Sequence, residues 1–449
     1  MGLRCGAPRK RRVPTAGNPG SDLSLSGITE GIDAPESPIV VEHRGQLIYL
    51  LREAAELEHA IMCQYLFAAF TMKQSTDEGL TDPQMEAVNR WRKVILGVAR
   101  QEMLHLALVQ NLLTAIGAGP HLTRPNIPSP AGYFPQGVQM ALIPFGERAL
   151  RHFMFLERPE GMPLADAEGL ATETRRRPLL GDEDIVPRAQ DYATVGHLYR
   201  AIDIGFGWLT AMLGADRLFV GPASGQATQK YFGWPQLVQV VDLNSAHRAV
   251  DTIVEQGEGV RGDWQVAHFG RFRDVFDEFM ALRQQDPGFD PTRPVIAGLV
   301  REQSGADLPI ISDPATGQIA DLFNVANEIV LMGLTRFFAH TDESGEQLDA
   351  LVGLSVGMMF DAIKPLGDLL TRLPFGPSHP GSSAGPTFEL FYQSGYFLPH
   401  RGAAWLLMEE RLRQAVEFAR KIESSFAVGI SGVANAMEKH ADALAQAAT

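Results

Sequence analysis

Arg100-Gln101-Glu102-Met103-Leu104-His105 lies inside a long helical pattern between Gln84 and Ile116. Trp91, Ile95, Val98, Glu102, His105, Val109, Leu112 and Ile116 follow one another at spacings of three or four residues. Residues so spaced share one helix face, the face that a globular protein turns to its core. Glu102 and His105 therefore stand where leucines are expected. A carboxylate and an imidazole on a buried stripe are costly unless they pair or bind a metal. The E-x-x-H spacing is also the one used by inward-facing ligands of carboxylate-bridged di-metal sites in four-helix bundles. The competing reading is a Glu–His pair bonded to each other inside an ordinary core.

Outward from this stretch, a second helix pattern precedes it. Leu47, Leu50, Leu51, Ala54, Leu57, Ile61 and Tyr65 mark the apolar side of a helix from about His43 to Met72, and Glu58 falls on that side. Glu56 and His59 lie off the stripe. A polar turn with Gly79 and Pro83 joins the two helices, and Thr81 or Asp82 is placed to cap the second. A link this short makes the helices antiparallel neighbours. Glu58 and Glu102 then sit near the same height, because each lies a comparable distance along its helix from the opposite end.

The chain then loses regularity from His121 to about Val240, where Pro125, Pro128, Pro130 and Pro135 break it up. Gly137 to Arg158 allows a short strand and a helix, and Tyr192 to Leu213 is helical in pattern. This segment reads as an elaborated crossover to a second helix pair, and it is placed to cover a site. A third bundle helix is expected over Asp242 to Gln256, with a polar stripe His247, Asp251, Glu255, Glu258 that also fits a solvated face. A fourth is expected from about Asp263, with His268 in a core-type position beside Phe272, Val275 and Phe279; a bonded structural histidine is the alternative there. Further helices are expected over about 321–340, 347–373 and 403–423, with an alanine-rich end. The expected organisation is a basic disordered tail over 1–40, a bundle over 41–285 with its insertion at 121–240, and a C-terminal helical region over 286–449.

Composition limits the functional classes. Hydrophobic residues make up 45% of the 449, enough for a sizeable core, and charged residues 20%. The formal net charge of −14 is spread along the chain, which argues against nucleic acid as a main partner. Cys5 and Cys63 form no ligand-like cluster and fit a reducing compartment. Arg9-Lys10-Arg11-Arg12 has no apolar run after it, so a secretory signal is not expected. No membrane span is expected either, and a cytoplasmic location follows as an expectation. No H-E-x-x-H and no phosphate-binding loop is present, and no G-x-S-x-G elbow: the match Gly353-Leu354-Ser355-Val356-Gly357 lies inside the helix expected over 347–373, not at a strand-to-helix turn. The Glu/His set is left as the main bearer of chemistry, and a carboxylate-plus-imidazole donor set favours iron or manganese over a thiolate-type zinc site.

Glu56-Leu57-Glu58-His59 with Gln64-Tyr65-Leu66, then Gln101-Glu102-Met103-Leu104-His105, then Val254-Glu255-Gln256-Gly257-Glu258-Gly259 followed by His268-Phe269 resemble the ferritin-like proteins of the iminophenyl-pyruvate dimer synthase group. That group includes the ferritin-like part of the chromopyrrolic acid synthases of indole alkaloid pathways. The similarity continues through Asp321-Leu322-Phe323-Asn324 and Gly385-Pro386-Thr387-Phe388-Glu389, and so spans about Val40 to Glu423. Those synthases are considerably larger, so the chain resembles a stand-alone version of one part.

The resemblance implies an all-α, ferritin-like four-helix bundle with additional C-terminal helices. It implies two metal ions, iron or manganese, on Glu58, Glu102, His105, Glu255 and His268. It also implies oxidative coupling of amino-acid-derived imines. A fourth-helix E-x-x-H would need glutamate at 265, where this chain has Gln265, so Glu258 is added to the candidate ligands. Tyr65, two turns from Glu58, is the candidate catalytic phenol, with a core tyrosine as its alternative. The expected partners are a small-molecule substrate and dioxygen or peroxide, with a homodimer allowed and neither nucleic acid nor membrane expected. Metal storage or detoxification is the second reading, and a non-catalytic helical binding protein the third.

Overall fold

The computed structural model describes residues 39–130, 133–134, 138–170, 192–259, 264–301, 308–391 and 399–448. The basic tail expected over 1–40 lies almost entirely outside the described residues. Among those described, the chain is helical, with only isolated bridges in place of strands. The short strand allowed before Arg158 does not form.

Helices α1 (Arg44–Thr71) and α2 (Asp82–Ala115) are the two long helices read from the sequence. Thr81 caps α2 in a reciprocal capping box with Gln84, and proline occupies its first turn, where a missing N–H costs nothing. The two helices pack along their length as antiparallel neighbours. Next come α3 (Glu147–Leu156) and α4 (Val195–Leu213), then the one-turn helices α5 (Ala215–Leu218) and α6 (Gln229–Phe232). They are followed by α7 (Leu243–Gly257), capped by Asp242, and α8 (His268–Gln285).

The pairing corrects one expectation. The partner of α8 is α3, while α7 packs against α4 and α2, and α4 lies on α1. The second pair is therefore α3 with α8, and α4 to α7 form a roof inserted between them. The pattern at 242–256 reads as a helix either way, but periodicity does not say which neighbour a helix takes. Aromatic rings fasten the second pair to the first: Tyr65 of α1 meets Phe153 of α3 edge-on at 4.6 Å and Phe272 of α8 at 4.9 Å.

The C-terminal region is a further helical layer of α9 (Pro314–Phe338), α10 (Gly345–Met358), α11 (Lys364–Leu370), α12 (Arg401–Phe426) and α13 (Ser431–Ala448). A π-helical turn, Met359–Ile363, joins α10 to α11 without a break. The resulting helix, Gly345–Leu370, is long and apolar enough to cross a membrane by length and composition. Half of its most apolar window is buried in the fold. Asp349, Asp361 and Lys364 interrupt its apolar run, so the pattern over 347–373 reads as a helix and not as a span.

Arg336 and Glu343 lock this layer. Both side chains are buried; the Arg336 guanidinium pairs with Glu343, reaches Thr341 Oγ1 at 3.0 Å and donates to the Pro399 carbonyl at 3.2 Å. Trp405 Nε1 donates to Glu343 from α12 at 3.0 Å. Arg336→Met leaves the Glu343 carboxylate buried without its counter-charge and is expected to lower stability by roughly 3–5 kcal/mol. A shift of the urea midpoint measures it.

Candidate metal centre

Glu58 comes from α1, Glu102 and His105 from α2, Glu157 from the residue that ends α3, and His268 from the first position of α8. All five are buried. They form two groups, Glu58–Glu102–His105 and Glu102–Glu157–His268, in each of which one ligand atom per residue lies within 4.8 Å of the others. Glu102 belongs to both. Its Oε2 lies 2.8 Å from His105 Nδ1, and its Oε1 lies 2.8 Å from His268 Nδ1. Each oxygen thus faces one group, and the two imidazoles stack at 5.5 Å between centroids.

The outer carboxylates complete the set. Glu58 Oε2 lies 3.6 Å from His105 Nδ1, and Glu157 Oε2 lies 3.5 Å from His268 Nδ1. Each is also held by a buried phenol: Tyr199 of α4 donates to Glu58 Oε1, and Tyr65 donates to Glu157 Oε1. His105 Nε2 meets the Gln256 side-chain oxygen at 3.1 Å.

Three buried atoms at the heart of the cluster have no hydrogen-bond partner: Glu102 Oε1 and both ring nitrogens of His268. His268 Nδ1 is close to its carboxylates but poorly aimed at them for a hydrogen bond. Buried orphans of this kind call for an explanation, and an ion is among the few that serve several at once. Three carboxylates, two imidazoles and no thiolate suit iron or manganese. The residues fit a pair of such ions, with Glu102 shared between them.

Charge within the cluster is strongly coupled. Burial, then the Glu102 charge, pushes the Glu58 carboxyl up to about 8. Burial would raise Glu102 as well, but His268 and His105 hold it well below the ordinary carboxylate range. Burial works against the charged imidazoles, yet Glu102 and then Glu157 lift His268 to about 9, and Glu102 lifts His105 well above its usual value. Burial and Glu157 raise Tyr65, and burial and Glu58 raise Tyr199, so both phenols keep their protons.

The sequence-derived candidates divide. Glu58, Glu102, His105 and His268 come together, with Tyr65 directly behind them. Glu255 is exposed on the outer side of α7 and belongs to neither group. Glu258 also belongs to neither, although it lines the adjoining cavity. Gln265 is exposed on the turn before α8, which begins only at His268, so the fourth helix has no position three residues earlier from which to reach inward. Glu157, at the end of α3, supplies the carboxylate expected of Glu255, and the fourth-helix position stays without one. Glu157 was not found from sequence because α3 is short and the residue follows a run, Phe153-Met154-Phe155-Leu156, that reads as plain core. Tyr199 was also missed; its spacing four residues after Val195 was the one available signal.

The cavity beside the cluster has about 20 Å³ of room for a water-sized occupant and is closed by Val195, Gly196 and Tyr199 of α4 and by Ile253, Val254, Gly257 and Glu258 at the end of α7. A water needs about 10–15 Å³ on this measure. As it stands, the space holds a group of one or two heavy atoms.

Glu157→Ala is expected to halve bound metal, and Glu255→Ala to leave it unchanged, by elemental analysis after anaerobic iron loading. Tyr199→Phe frees Glu58 and is expected to weaken metal binding by about 10–100-fold. Since Glu58 and His268 carry protons at pH 7 and must lose them to bind metal, affinity is expected to rise as pH goes from 7 to 9, with protons released on loading. Titration calorimetry in buffers of different ionisation enthalpy measures that release.

Comparison with known proteins agrees with this architecture. The chain is 26% identical over 416 residues to the dichlorochromopyrrolate synthase of Lentzea aerocolonigenes, covering 85% of this chain and 39% of that one. It is 26% identical over 373 residues to the 2-imino-3-(indol-3-yl)propanoate dimerase of Chromobacterium violaceum, covering 78% of this chain and 34% of that one. The chain thus spans well under half the length of either relative. A crystal structure of a ferritin-like protein from Caulobacter vibrioides overlaps 71% of this chain and 96% of its own, at 20% identity and a TM-score of 0.43. The ferritin-like family model matches residues 51–277, just over half of the chain and the part that carries all five clustered side chains. The chain belongs to the ferritin-like family.

Proposed function

We propose that the protein is a non-heme di-metal oxidoreductase of secondary metabolism, with iron as the expected metal and manganese as the alternative. It would use dioxygen or peroxide to oxidise or couple a small amino-acid-derived substrate such as an imino acid. The observation that carries this reading is Glu102, a buried carboxylate with one oxygen turned to each of two Glu/His groups. The names of the two relatives, a chromopyrrolate synthase and an imino-acid dimerase, support the substrate class.

Glu58, Glu102, His105, Glu157 and His268 would hold the metal ions. When bound, such a pair supplies one- and two-electron oxidation with dioxygen or peroxide. The chain's own residues do the rest. Tyr199 holds a proton at Glu58 Oε1 and Tyr65 holds one at Glu157 Oε1, which fixes the outer carboxylates and leaves their other oxygens turned inward. Ile61, Val195, Ile253 and Val254 line the cavity with hydrocarbon and keep bulk water out. A substrate of amino-acid size exceeds the present cavity, so its approach would part the ends of α4 and α7.

Loading with ferrous iron is expected to give two ions per chain and an optical change on exposure to oxygen, with turnover of an aromatic imino acid generated in situ. Glu102→Ala is expected to lose both metals and to reduce turnover by about 10²-fold or more, since it removes the one donor common to both groups. Full metal content and activity in Glu102→Ala, or two tightly held zinc ions with no response to oxygen, would sink the reading.

A further inference from the structure

The roof of the cavity carries a carboxylate outside both metal-capable groups. Glu258 ends α7, its own N–H bonded to the Val254 carbonyl at 3.0 Å, and its side chain lines the same cavity as Glu58, His105 and Tyr199. Oε2 accepts the Glu160 N–H at 3.2 Å, the long end of the hydrogen-bond range. Oε1 is buried; the Gly196 N–H lies beside it without good aim, and no side chain reaches it.

The carboxylate rests on Gly196 in the first turn of α4. A Cβ at that position would lie 1.6 Å from Glu258 Oε1, so only glycine lets the group sit there. The start of a helix favours a negative charge. That accounts for why a carboxylate is tolerated in the roof, and it leaves Oε1 with no side-chain donor.

The cavity's own polar side chains have no donor to spare for that oxygen. Tyr199 donates to Glu58, and the two ring nitrogens of His105 are engaged with Glu102 and Gln256. Glu58, Glu102 and Glu157 are acceptor groups like Glu258 itself. A well-aimed donor for Oε1 has to enter the cavity, as a water or as the N–H of a ligand.

We infer that Glu258 receives the nitrogen of the substrate, an amine or iminium N–H, and so orients an amino-acid-derived molecule beside the metal pair. This rests on the proposed function and supplies its substrate contact. Entry of the substrate gives Oε1 the donor it lacks, while Oε2 keeps the N–H of Glu160. An oxygen analogue, with a hydroxyl in place of the amine, cannot match the charge and gains less.

Calorimetric binding to the anaerobic, metal-loaded protein tests this with tryptophan and its 2-hydroxy analogue, indole-3-lactate. The unmodified protein is expected to bind the amine about tenfold or more tightly than the hydroxy acid, the range for a hydrogen bond to a charged group. Glu258→Gln keeps the side chain's size and an oxygen for the Glu160 N–H but removes the charge. It is expected to abolish the preference while keeping both metal ions. Equal binding of the two probes by the unmodified protein overturns the inference without needing any variant. A preference that survives in Glu258→Gln overturns it, as does loss of metal there, which would make Glu258 a ligand. Failure of the underlying reading shows differently, as absence of metal from both proteins, and takes the inference with it.

Discussion

A single buried carboxylate, Glu102, sets the terms for the rest of the fold. Removing an ionised group from water is expensive, and the cost is met only where counter-charges and hydrogen bonds surround it. Here two imidazoles do so from opposite sides, His105 one turn along the same helix and His268 at the start of α8. Each imidazole in turn needs a second carboxylate, which brings in Glu58 and Glu157. Each of those is tied down by a tyrosine from the surrounding core. The cluster thus links α1, α2, α3, α4 and α8, and none of its members would be stable in the interior alone.

The family's usual layout takes a glutamate from each of two helices and a Glu-x-x-His from each of the other two. One half of this centre follows it, with Glu58 facing Glu102 and His105. The other half departs: α8 begins at the histidine itself, and the position three residues earlier is Gln265, exposed on a turn. The donor set is consequently one carboxylate lighter on that side. The five residues that remain would offer each of two ions one outer carboxylate and one imidazole, with Glu102 common to both.

The roof formed by α4 and α7 distinguishes this chain from a bare bundle. It closes the centre to a space of about 20 Å³ and places Glu258 at its edge. Behind the bundle, the layer from α9 to α13 is locked by the buried Arg336–Glu343 pair, and α11 packs on α1. A bundle supported on one side and roofed on the other keeps the clustered side chains fixed and dry.

By itself the sequence determined the helices and the first half of the centre. Glu58, Glu102 and His105 were legible because local periodicity fixes which face a residue occupies, and a short link fixes that two helices are antiparallel. His268 was legible for the same reason, as a polar residue on an aromatic stripe. Glu255 was expected as a ligand from the family resemblance alone; periodicity placed it on a polar stripe that fits a solvated face, and that is where it lies. Only the tertiary structure decided that α3, not α7, pairs with α8. Only it showed that Glu157 and Tyr199 complete the cluster and that Glu258 stands beside the five clustered side chains rather than among them. Those facts depend on contacts across about 110 to 140 residues of chain, the separations of Glu157 from His268 and of Tyr199 from Glu58, over which no local pattern carries information.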